Sequence, residues 1–74
     1  MDDSILSTRV KSALLADPAV RSFDFMVETR KGAVLVGGFV DNQTQIDRAI
    51  AVTRGVVGVK SVENKVSLSP ARAG

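Results

Sequence analysis

The stretch Ala33-Val34-Leu35-Val36-Gly37-Gly38-Phe39-Val40-Asp41-Asn42 constrains this chain more than any other. Val34, Val36 and Val40 fall on every second position, and Gly38 takes the remaining place in the alternation. A period of two means a strand with one buried face. Asn42 and Gln45 follow at the spacing of a capping box, so a helix starts directly after the strand. Upstream, Phe25, Val27 and Thr29 alternate with Met26, Glu28 and Arg30 as a second strand, and Lys31-Gly32 is the turn between the two. A two-residue turn sets Thr29 opposite Val34, Val27 opposite Val36 and Phe25 opposite Gly38, with the Phe25 ring over the gap left by the glycine. A three-residue loop with a glycine bulge shifts the pairing by one residue and buries Leu35 and Phe39 instead.

The rest of the chain completes an order of helix, strand, strand, helix, strand. Ser4 is placed to cap a first helix running to Ala16, with Asp2 and Asp3 at its positive end. Leu6, Val10, Ala13 and Leu14 form one helical face, and Leu15 lies off it. Asp17-Pro18 ends the helix, because a residue before proline avoids the helical region. In the second helix Ile46, Ala49, Ile50 and Thr53 share a face. Gly55-Val56-Val57-Gly58 winds it down, with one glycine expected in the left-handed C-cap conformation. Val62, Asn64, Val66 and Leu68 alternate inward along the third strand, and the tail from Ser69 to Gly74 is expected to fray. The expectation is an α+β fold, αββαβ, with a three-stranded mixed sheet, both helices packed on one face and the other face open. No repeat or linker is visible, so residues 1–74 read as one domain with an ordered core of about 3–68.

Composition removes most chemistry. The chain has no cysteine and no histidine, and its eight carboxylates are scattered singly apart from Asp2-Asp3. No set of residues supports nucleophilic, acid–base or metal catalysis, so the reading is a non-enzyme without metal or other cofactor. The net charge of +2 divides unevenly. Residues 1–47 hold five basic and seven acidic side chains, −2, and residues 48–74 hold five basic and one acidic, +4. So small a charge does not hold a protein on nucleic acid at physiological salt. No apolar run reaches the roughly 20 residues that span a bilayer. The Met-Asp-Asp start lacks the regions of a signal peptide, which leaves a cytoplasmic protein or a mature segment whose export signal has been removed. Gly37-Gly38 lacks the spacing of a phosphate cradle. Gly55-Val56-Val57-Gly58 has the spacing of a KH-domain loop, but with valines in its variable positions and a strand after it.

Val34, Val36, Gly38 and Val40 on the second strand, with Gly58, Val59, Val62 and Asn64 after the second helix, resemble the BON domain. This is a small bacterial αββαβ module of osmotic-stress and cell-envelope proteins. The resemblance runs from about Asp2 to Leu68 and favours the two-residue hairpin register. It implies a non-enzymatic module that interacts with phospholipid or with envelope partners, often in the periplasm of Gram-negative bacteria. The matching positions define the fold and carry over no lipid site. Many members hold two copies with a signal or lipid anchor, whereas one copy is present here. Phe23 puts a large apolar side chain where a small or polar one is expected.

Two surfaces are candidates for that interaction. Lys11 and Leu15, at i and i+4 on the outer side of the first helix, set a cation beside an exposed leucine as at a lipid headgroup contact, and Arg30-Lys31 at the hairpin tip adds charge. The partner expected at these residues is anionic phospholipid. Met26, Leu35 and Phe39 fall together on the open sheet face as a surface for a protein partner or a second copy, in a chain that is a monomer or weak homo-oligomer.

Overall fold

A computed structural model describes residues 2–69. The elements are α1 (Asp3–Ala16), β1 (Phe25–Arg30), β2 (Ala33–Val40), α2 (Gln43–Arg54) and β3 (Ser61–Leu68). The sheet order is β1-β2-β3, with β1 antiparallel and β3 parallel to β2. Antiparallel neighbours close through a tight turn, whereas the parallel pair needs a crossover, which α2 supplies. α1 packs on β1 and on α2, and α2 packs on both β2 and β3, so both helices cover one face of the sheet.

The hairpin takes the two-residue register: Thr29 faces Val34, Val27 faces Val36 and Phe25 faces Gly38. Lys31 and Gly32 both have positive φ, 52° and 88°, the backbone twist that matches the right-handed twist of the flanking strands. Gly38 is a second position that needs glycine, with φ 149°. A Cβ there would lie 2.8 Å from the Asp24 carbonyl oxygen and 3.3 Å from Phe25 Cδ1, so the ring does close over the missing side chain.

The core joins Leu6, Val10 and Leu14 of α1 to Val27, Val34, Val36 and Val40 of the sheet, Ile46 and Ala49 of α2, and Val66 of β3. Ala13 and Ile50 are half-buried at its margin. Thr53 is fully buried, and its hydroxyl donates to the Ala49 carbonyl at 2.8 Å, which satisfies the group without water. The capping box is complete: Asn42 Oδ1 accepts from Gln45 N–H at 3.0 Å, and Gln45 Oε1 accepts from Asn42 N–H at 3.2 Å.

Four local expectations are corrected. The cap of α1 is Asp2 rather than Ser4, because its carboxylate accepts both the Ser4 N–H (2.9 Å) and the Ser4 hydroxyl (2.8 Å). Those two bonds, the backbone one first, lower the Asp2 pKa. The C-cap of α2, Gly55, is right-handed (φ −77°), and the positive φ of the loop falls at Gly58 instead. On β3 only Val66 is buried and Val62 half-buried, while Asn64 and Leu68 are exposed, since β3 is an outer strand with no strand beyond it among the described residues. Ser69, placed in the fraying tail, donates its N–H to Val40 O at 2.7 Å, and the rest of that tail lies outside the described residues.

Candidate functional site

The outer surface of α1 meets the segment before β1 in a shallow groove of about 230 Å³. The helical repeat of α1 turns Leu14 into the core and leaves Lys11 and Leu15 on the outside. Pro18 then ends the helix, and turns between Asp17 and Phe23 bring Phe23 back beside them. Lys11, Leu14, Leu15, Phe23, Asp24 and Phe25 line the groove. Leu15 is 65 % exposed, and Phe23 is half-buried against the core. The sequence pattern paired Lys11 with Leu15, and the fold adds Phe23, whose size was the anomaly. Asp24 lines the same groove, so one carboxylate accompanies the one cation there.

Arg30 and Lys31 do not join this groove. Asp3 Oδ1 accepts the Lys31 N–H at 3.1 Å, and Thr29 Oγ1 donates to Asp3 O at 2.7 Å, so the start of α1 sits at the hairpin tip. Lys11 lies eight residues along the helix from there, about 12 Å at the usual rise per residue. The Lys60 N–H donates to Gly32 O at 2.8 Å, and the Lys60 methylenes fill the space over Gly32, so Lys60 stands beside the tip as well. Arg30 lines a wider, open recess of about 1050 Å³ together with Asp3, Glu28 and Glu63. Three carboxylates against one guanidinium make that recess a poor seat for an anion. No group of three His, Cys, Asp or Glu side chains among the described residues is arranged to hold a metal ion.

The open sheet face carries Met26, Leu35 and Phe39 as the register requires. Met26 and Phe39 are 58 % and 59 % exposed, and Leu35 is half-buried. Gly37 lies between Met26 and Lys65, whose side chains close over it. Glu28, Arg30 and Glu63 border this patch on the same face. Of the positions that define the fold, Val34, Val36 and Val40 are in the core, Gly38 receives Phe25, and Gly58 turns the loop. Val59 and Val62 pack at the core margin, and Asn64 is exposed.

A polar link was not visible in the sequence pattern. Asp17 is buried at the end of α1, where its carboxylate accepts from Ala19 N–H at 2.9 Å and from Arg48 Nε of α2 at 2.6 Å. The Ala19 bond, then the Arg48 guanidinium, hold its pKa below the usual 3.8 against the opposing effect of burial. The 31-residue separation hides this pair from any local motif. Its one local sign is Asp17-Pro18-Ala19, in which an aspartate accepts a backbone bond two residues on.

The elements make an αββαβ unit with a mixed sheet covered by two helices on one face and bare on the other. Residues 2–70 match the BON domain, and the chain belongs to that family. It is 39 % identical over 74 residues to osmotically-inducible protein Y of Escherichia coli K12, covering 100 % of this chain and 37 % of that protein. It is 29 % identical over 66 residues to an uncharacterized protein in the gshII 5′ region of Anaplasma centrale, covering 89 % of this chain and 44 % of that one. The chain therefore spans less than half the length of both relatives.

Proposed function

We propose that this chain is a non-catalytic BON module that meets anionic phospholipid in the bacterial envelope during osmotic stress, through the α1 groove of Lys11, Leu15 and Phe23. The observation that carries the reading is the meeting of a cation, an exposed leucine and an aromatic ring in one groove. The likeness to an osmotically-inducible protein supports the stress context, and the family supports a periplasmic or envelope location. No helix among the described residues is long and apolar enough to cross a membrane. The contact made by such a surface groove is peripheral. One lysine contributes about 1 kcal/mol at an anionic surface, so binding is reversible and sensitive to salt. Arg30 and Lys31 form a separate cationic point at the hairpin tip.

The test is a backbone amide NMR titration with vesicles of anionic phospholipid, with zwitterionic vesicles as control. The reading expects shifts confined to Lys11, Leu15, Phe23 and their neighbours with anionic lipid, lost in Lys11→Glu and in high salt. Unchanged spectra with both lipids would refute it.

The exposure of Met26 and Phe39 favours a second reading, a protein partner on the open sheet face. Three strands at ~4.8 Å spacing and a length near 20 Å present roughly 300 Å². A stable interface takes about 800 Å² from each partner, so this face alone supports a weak contact. Leu35→Ser with Phe39→Ser would abolish partner capture, and retention of the partner would place the surface elsewhere.

A further inference from the structure

β1 and β3 are the two outer strands of the sheet. α1 packs on β1 and α2 packs on β3 and β2, while among the described residues no strand pairs with β3 on its outer side. On β3 the Ser61 and Ser69 N–H groups point to β2, donating to Gly32 O and Val40 O. Alternation then turns the N–H groups of Val62, Asn64, Val66 and Leu68 outward. A row of outward backbone groups is a template for another strand. One of these is already taken: Asn64 Oδ1 accepts the Val66 N–H at 2.8 Å. Asn64 is exposed, so core packing does not explain the residue.

We propose that the outer edge of β3 is a strand-pairing surface for a second copy of this chain, and that the Asn64 side chain holds it closed. Charge along the edge selects the partner and the register. In a two-fold antiparallel pair centred on Asn64, Glu63 of each copy lies opposite Lys65 of the other, and Val62 opposite Val66. Centring on Glu63 or on Lys65 instead sets like charges face to face, which is unfavourable. Within one chain Glu63 and Lys65 form an exposed pair at 3.5 Å, weak enough to exchange partners. In the complementary register Asn64 lies on the two-fold axis, and the Val66 N–H it occupies is the donor that would reach the second copy. The guard therefore occupies a donor next to the centre of the charge-complementary pairing.

The test is sedimentation of the full chain over a concentration series up to the millimolar range. The wild type is expected to remain monomeric. Asn64→Val, which removes the acceptor and favours an extended backbone, is expected to dimerise about tenfold more tightly or better, since each copy regains one inter-strand bond. Adding Lys65→Glu to Asn64→Val places Glu63 opposite a glutamate and should restore the monomer. A monomeric Asn64→Val, or a double variant that dimerises equally well, would overturn the proposal. Amide exchange of the wild type tests it without any substitution. Val66 should be protected like the inward amides of β3, and exchange as fast as at Asn64 and Leu68 would refute the guard.

Discussion

Gly37 and Gly38 are adjacent in sequence and should respond in opposite directions to the same substitution. Gly38→Ala puts a Cβ at 2.8 Å from the Asp24 carbonyl oxygen, a backbone atom that cannot swing aside, at a φ of 149° that side chains rarely adopt. Such backbone strain costs about 1–3 kcal/mol, and relieving the contact requires the start of β1 and the Phe25 ring to shift, which adds roughly 1 kcal/mol or more. The sum, about 2–4 kcal/mol, compares with a total of about 4–11 kcal/mol expected for a domain of this length. The melting temperature should fall by about 10–25 °C. At Gly37 a Cβ finds Met26 Cε at 3.6 Å and Lys65 Cβ at 3.7 Å, ordinary contacts. Gly37→Ala removes backbone freedom from the unfolded chain and should be neutral or stabilising by about 0.5–1 kcal/mol. Urea and thermal unfolding followed by far-ultraviolet circular dichroism measure both variants. A Gly38→Ala protein within 0.5 kcal/mol of wild type, an outcome below the range of about 1–3 kcal/mol for such strain, would refute the account of the close approach.

Two further predictions concern the polar links. Asn42→Ala removes one half of the capping box of α2 and should cost about 0.5–2 kcal/mol in the same unfolding assay, whereas Asn42→Asp, which keeps the acceptor, should cost much less. The Asp17 pKa is lowered in the folded state, so its contribution is fully present above the ordinary value of 3.8 and is lost as pH falls through the depressed one. The gap in melting temperature between wild type and Asp17→Asn should therefore be constant from neutral pH down to the ordinary carboxylate range and close below it. A gap that closes near neutral pH would mean that another group holds the loop.

The element order was legible because it rests on periodicity and on neighbours a few residues apart, whereas the hairpin register, and with it the match of Phe25 to Gly38, was favoured only by the family resemblance and is settled by the structure. A one-residue slip turns Val34 and Val36 to water and Leu35 and Phe39 inward, and since both sets are apolar the alternation by itself fits either hairpin. The same reasoning misplaced the cap of α1. Asp2 and Ser4 are both good caps two residues apart, and the choice between them depends on which side chain reaches the first free N–H groups. It also treated the alternation of β3 as uniform burial. Alternation tells which way Asn64 and Leu68 point, but not whether anything stands over them.

What the sequence by itself determined is the order of the elements and the apolar faces of the two helices, with the hairpin strands reduced to two alternative faces. The tertiary structure decided how far each face is covered and which distant side chains meet. It put Phe23 beside Lys11 and Leu15, joined Asp17 to Arg48 across 31 residues, and made β3 an edge whose central donor Asn64 occupies. The physical reason is range. Propensity and periodicity act over one or two turns of chain, whereas burial, ion pairing and edge protection depend on neighbours that only the packing of α1 and α2 on the sheet brings within reach.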